Sequence, residues 1–183
     1  MRLYTNWFGG GVIGAMFPKL GYELSFSVPV VGWMLFSFRV GQILIFLYTR
    51  NEQRWQYKLW PMLLGQVVAG LGMALAATAH TVPVFAVSFG AVGLCAGMTY
   101  VNSLFYSLHG RQEDRGRTSG FHEAVLGGGT LLGPLVGGLA AQYYDLHMPF
   151  SIGAGVFGLA CVVQLLVITA AARRRKISVD QHA

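Results

Sequence analysis

The sequence predicts an all-α membrane protein of six transmembrane helices, and three observations carry that prediction. The chain of 183 residues divides into six mostly apolar runs, each close to the roughly 20 residues that a helix needs to cross a hydrocarbon core. It is 54% apolar and 11% charged, with a mean hydropathy of +0.53, whereas a soluble domain carries about 25% charge. Finally, of 13 Lys and Arg residues, all but Lys19 and Arg39 fall on one side once the six runs are threaded through a bilayer.

The first span is Leu3–Leu20, preceded by Arg2, and the turn Pro18–Phe26 follows it on the far side. The second, Ser27–Tyr48, returns to a basic loop, Thr49–Lys58, holding Arg50, Arg54 and Lys58. Trp60–Ala79 and Val84–Leu108 make the third and fourth spans around the short turn Ala79–Pro83. The loop His109–Thr118 brings Arg111, Arg115 and Arg117 to the same side as before. Ser119–Tyr143 is the fifth span, Tyr144–Pro149 its turn, and Phe150–Ala172 the sixth. Residues 1–172 thus form one bundle. Residues 173–183 are a basic stop, Arg173–Lys176, and a polar tail, Ile177–Ala183, expected to be unstructured. Short loops rich in Lys and Arg stay cytoplasmic. Both termini are therefore expected inside, with the chain in the cell (inner or plasma) membrane. Short connections make consecutive spans the expected antiparallel neighbours.

Composition also excludes. A β-barrel needs alternating strands, and these runs are continuous. The net charge of +6 is divided among separate loops without interleaved aromatics. It reads as a topology signal facing anionic headgroups rather than a nucleic-acid surface. Cys95 and Cys161 lie inside spans and resemble neither a disulfide framework nor a metal pair. No small-residue cleavage site follows the first span. An intramembrane serine protease would need a buried Ser with a His on another span. Ser119 and His122 share one helix, and His122-Glu123 is not continued into a His-Glu-x-x-His run. No water-channel or carbonyl-filter signature is present. No catalytic group, metal set or cofactor is expected, a coupling proton excepted.

The polar residues inside the spans are the candidates for function. In span four, Cys95, Thr99, Asn102 and Tyr106 share one helix face, flanked by Tyr100 and Ser103. Polar side chains avoid lipid, so this face turns inward, either to a wet cavity or to interhelical hydrogen bonds. Arg39 lies near mid-depth of span two, with Gln42 one turn on; a charge at that depth is costly and usually marks a pathway. Glu123 lies about 9 Å into span five. An Arg39–Glu123 ion pair would lower the cost of both charges, either as part of transport or as a purely structural pair. Burial favours protonation of a carboxylate and a nearby Arg opposes it, so Glu123 is a candidate proton carrier and His122 a candidate shuttle.

Spans one to three and four to six also form a weak repeat. Asn6 is set beside Asn102, Arg39 beside His122–Glu123, and Gln66 beside Gln164. Three spans reverse the direction of the second copy, so the repeat is inverted, as in transporters with a site near the midplane. In span five Gly129, Gly133 and Gly137 recur every fourth residue beside Pro134 and Gly138. Such a stripe permits close helix approach, and the proline can kink the helix. Gly10/Gly14 and Gly93/Gly97 offer similar sites.

The run Gly129-x-x-x-Gly133-Pro134-x-x-Gly137-Gly138 resembles the glycine–proline motif of the major facilitator superfamily. The resemblance implies a twelve-span architecture of two six-span halves in 3+3 inverted repeats, of which this chain matches one half. The loop after span two lacks the Gly-x-x-x-Asp-Arg-x-Gly-Arg pattern typical of the first half. The basic stop and short tail suit the end of a transporter, so the chain is similar to the C-terminal half. By this resemblance spans one, two, four and five face the cavity, and spans three and six are peripheral. The implied cavity residues are Asn6, Trp7, Arg39, Gln42, Thr99, Asn102, Tyr106 and Glu123. The implied function is transport of a small polar or amphipathic solute by alternating access, with a proton as candidate coupling ion. The implied partners are the bilayer, the solute and a second six-span half. The alternative is a truncated or partner-subunit protein with no transport of its own.

Overall fold

In a computed structural model of the chain, residues 2–51, 60–108 and 115–180 are described, with side chains at 5–51, 60–105, 116–117 and 119–170. Among them are six helices: α1 (Arg2–Glu23), α2 (Val28–Asn51), α3 (Trp60–Ala77), α4 (Val82–Leu108), α5 (Arg115–Tyr143) and α6 (Met148–Asp180). Pro29, Pro61, Pro83 and Pro149 are each the second residue of their helix. That position needs no intrahelical N–H, so proline starts these helices without loss. Asp145 starts α6 as well, its Oδ1 accepting from the His147 and Met148 amides at 2.7 and 3.0 Å.

Two boundaries differ from the sequence reading. Pro18 lies inside α1, which runs on to Glu23, where a turn was expected. The tail is helical as far as Asp180, where an unstructured segment was expected from Ile177. A formed helix propagates easily through Arg and Lys, both good helix formers.

Five helices, α2 to α6, are long and apolar enough to cross a membrane; α1 is not. Asn6, Gly9-Gly10-Gly11 and Lys19 dilute the hydropathy of this helix, which the sequence reading counted among six mostly apolar runs. The reason is position. Thr5, Asn6, Phe8, Val12, Ile13, Phe17 and Leu20 are all buried in the bundle. A helix that trades lipid for protein neighbours is released from the demand for an apolar surface.

Packing does not follow chain order. α2 docks chiefly on α4, α1 on α5, and α3 on both α4 and α6, whereas α1–α2 and α4–α5 touch only briefly. Among consecutive helices the expected neighbour packing holds mainly for α3–α4. Glycine decides this. A Cβ at Gly41 of α2 would strike the Gly90 carbonyl oxygen and come within 2.9 Å of Leu94 N. At Gly133 of α5 it would meet Phe8 O at 2.5 Å and Val12 N at 3.1 Å. The two crossings are copies of one another. Phe8, Gly11 and Val12 stand to Gly133 as Gly90, Gly93 and Leu94 stand to Gly41. Gly11 lies against Thr130 of α5 as Gly93 lies against Phe38 of α2. The 3+3 inverted repeat is therefore physical, and each repeat docks its second helix on the first helix of the other. Its register differs from the one read in the sequence: Asn6 corresponds to Ser88 rather than Asn102, and Arg39 to Leu131 rather than His122–Glu123.

α4 is the hub, with 56% of its most apolar stretch buried against 22% for α2. Phe17 of α1, Phe85 and Phe89 of α4 and Phe150 of α6 close one end, with ring centroids 4.7–6.2 Å apart. All four are fully buried, so many weak dispersion contacts add up there.

Candidate functional site

The polar candidates separate into three groups around α4. The first joins α1 to α4. Asn6 Nδ2 donates to Thr99 Oγ1 at 2.7 Å, and Cys95 Sγ donates to Asn6 Oδ1 at 3.0 Å. Both ends of the amide are thus held by one helix face, and Asn6 is 0% exposed. Asn102 is also buried, and its Nδ2 donates to Met98 O of its own helix at 2.9 Å. The stripe read on α4 does turn inward, and Asn6, Cys95 and Thr99 form an interhelical brace. The side chain of Tyr106 lies outside the described residues.

The second group is on α2. Arg39 Nη1 donates to Gln42 Oε1 at 2.8 Å, the contact expected for residues one turn apart. Its guanidinium carbon lies 5.3 Å from the Phe38 ring centroid, a cation–π distance. Arg39 is exposed on this half-bundle, midway along Val28–Asn51. The expected Arg39–Glu123 pair is not formed. α2 docks on α4 and α5 on α1, which puts the two helices on separate faces, and each charge takes a nearer partner.

The third group joins α4 to α5. His122 Nε2 lies 2.6 Å from Ser103 Oγ, and its Nδ1 lies 3.3 Å from Glu123 Oε1. The His122 side chain is 7% exposed and that of Glu123 is 66% exposed, so the carboxylate opens to the surroundings and the imidazole is enclosed. Tyr100 sits at the meeting point of four helices. Its ring stands edge-on to Trp7 of α1 at 6.4 Å and to His122 of α5 at 6.0 Å, and tilted toward Phe46 of α2 at 6.1 Å. Trp7 Nε1 is buried and has no acceptor among the described residues. Tyr100 and Ser103 were read only as flanks of the stripe. Their own spacing of three residues, which puts them on one helix face, was the available signal.

The glycine stripe of α5 faces α1. Gly129, Gly133 and Gly137 are buried, and a Cβ at Gly137 would meet Met16 at 3.1 Å, while Gly138 has no neighbour within 4 Å of such an atom. Pro134 cannot donate to Thr130 O, and that carbonyl lies against Gly11, 3.1 Å from where a Cβ would stand. A separate crevice of about 410 Å³ lies between α2, α3 and α4, lined by Ile45, Tyr48, Trp60, Leu64, Leu94 and Met98. Among the described residues no three His, Cys, Asp or Glu side chains converge as a metal set would.

The profile of the Major Facilitator Superfamily matches residues 4–182. The chain belongs to the Major Facilitator Superfamily, as a six-helix half-bundle of its fold. It is similar to the tetracycline resistance protein, class E, of Escherichia coli, with 30% identity over 178 residues. That match covers 91% of this chain and 42% of the relative, so the chain spans less than half the length of that protein. Family and fold together define a multi-pass membrane protein of a family of transporters.

Proposed function

We propose that this chain is one six-helix half of a secondary transporter that moves a small polar or amphipathic solute by alternating access. Both termini face the cytoplasm, and a second six-helix half completes the cavity. The observation that carries this reading is Arg39. A guanidinium exposed midway along an apolar helix cannot face hydrocarbon without a cost of several kcal/mol, roughly 2.5–3.5 on insertion scales. It therefore faces water, solute or the complementary half. Gln42 fixes its direction and leaves further guanidinium N–H groups for an acceptor. Trp7, whose Nε1 has no acceptor among the described residues, lies beside Tyr100, and Phe46 of α2 also lies against that ring. Asn6, Thr99 and Asn102 support this surface from within. A proton is the coupling ion in this reading, taken up at His122 and Glu123.

The test is ligand-dependent thermal stabilisation of the chain assembled with a complementary half, across a panel of small solutes. Tetracycline heads the panel, since the Escherichia coli relative is a tetracycline resistance protein. Arg39→Ala should abolish the shift given by an anionic or acceptor-rich ligand, and Arg39→Lys should recover part of it. A full shift retained in Arg39→Ala rules out contact with Arg39. For the proton, uptake by Glu123→Gln should no longer respond to a proton gradient; unchanged coupling sinks that part.

A further inference from the structure

We propose that Ser103, His122 and Glu123 form a single-proton site linking α4 to α5, in which Ser103 is the positioning residue that accommodates both protonation states. Ser103 Oγ carries one proton and, among the described residues, stands between two acceptors for it. The Tyr100 carbonyl oxygen lies 2.8 Å away and His122 Nε2 lies 2.6 Å away. A hydroxyl donates to one acceptor at a time but also accepts. On the other side of the ring, Glu123 Oε1 is 3.3 Å from Nδ1.

Two proton arrangements satisfy these contacts. In the first, Nδ1–H donates to the Glu123 carboxylate, and the Ser103 hydroxyl donates to Nε2. In the second, one proton has been added to the ring. Nε2–H now donates to Ser103 Oγ, whose own proton turns to the Tyr100 carbonyl, while Nδ1–H still donates to Glu123. The difference is one proton and one hydroxyl rotation. No heavy atom has to move, and no buried donor loses its acceptor. An apolar residue in place of Ser103 would leave the Nε2–H of a buried imidazolium unanswered, which is costly.

Among the described residues, the groups facing the ring are few. From α4 come Ser103 and Tyr100, the latter edge-on at 6.0 Å. From α5 comes Glu123. α1 and α6 meet α5 farther along, at Gly133 and Gly137, through Phe8, Val12, Met16 and Pro149. α4 and α5 otherwise touch over a short stretch, so this cluster is a main polar tie between them, and its strength depends on the proton. Use of that proton for coupling rests on the transport reading; the site itself does not.

The experiment is nitrogen NMR of the full chain in detergent, labelled at histidine, for the wild type, Ser103→Ala, Ser103→Thr and Glu123→Ala. Neutral His122 should be the Nδ1–H tautomer in the wild type and change to Nε2–H in Glu123→Ala. In the charged ring, the Nε2 proton should exchange with solvent about ten-fold faster in Ser103→Ala than in the wild type. Ser103→Thr, which keeps the hydroxyl, should restore slow exchange. A neutral Nε2–H tautomer in the wild type, or equal exchange in Ser103→Ala, overturns the proposal. No substrate is needed. A chain that gives these spectra yet carries no solute when assembled with a complementary half supports the site and counts against the transport reading alone.

Discussion

Gln66 and Gln164 show what a single residue in a membrane helix can hide. Each is the one Gln of a charge-free span, and the family resemblance implies that those spans are peripheral. The structure buries both, at 1% and 6% exposure, and neither amide has a partner among the described residues. Hydropathy locates such a residue along a helix but not the direction in which it points. An unanswered buried amide costs about 1–3 kcal/mol. Gln66→Met, which keeps the volume and removes the polar atoms, should therefore raise the thermal unfolding midpoint of the detergent-purified chain. Gln66→Ala should lower it, because a cavity replaces the side chain. If Gln66→Met unfolds earlier than the wild type, the amide has a partner and this accounting fails. Arg39 is the opposite case. Its depth was legible from the sequence, but its partner, Gln42 rather than Glu123, depended on where α2 docks.

At the scale of helices, glycine sets which elements meet. The stripe in α5 is plain in the sequence. Which glycines carry contacts is not, since Gly133 and Gly137 touch α1 and α6 while Gly127, Gly128 and Gly138 have nothing within 4 Å of an added Cβ. Gly41→Ala and Gly133→Ala should each destabilise the chain by about 1–3 kcal/mol, because backbone on the facing helix stands where the methyl must go. The two losses should be similar, since the crossings are copies. Gly138→Ala should be close to neutral, or slightly stabilising through helix propensity. Thermal melts of the four proteins would decide it; equal behaviour of Gly133→Ala and Gly138→Ala removes the argument. The Asn6 brace gives a second element-scale expectation. Asn6→Leu should loosen α1 from α4 and speed exchange of the α1 amides, whereas Thr99→Ser, which keeps the hydroxyl, should leave them protected.

For the whole molecule, the decisive quantity is how much of the working machine one half-bundle supplies. The chain spans 42% of its Escherichia coli relative, and its Arg39 face is uncovered. We expect the chain purified by itself to show no solute uptake in proteoliposomes, and uptake to appear on co-reconstitution with a complementary six-helix half. Native mass spectrometry should then find the two halves together. Uptake by the chain as a strict monomer would contradict this expectation.

The sequence by itself determined the number of helices, their approximate limits, the sorting of charge and the family. Each depends on composition over windows of about 20 residues or on a local motif, and neither requires knowing which residues touch. The tertiary structure decided the rest: that α1 is an interior helix, that the repeats interlock through Gly41 and Gly133, and that Arg39 and Glu123 go to separate partners. It also brought Ser103 to His122. A polar group in a membrane is satisfied by whatever lies within about 3 Å, and across helices that distance is set by packing.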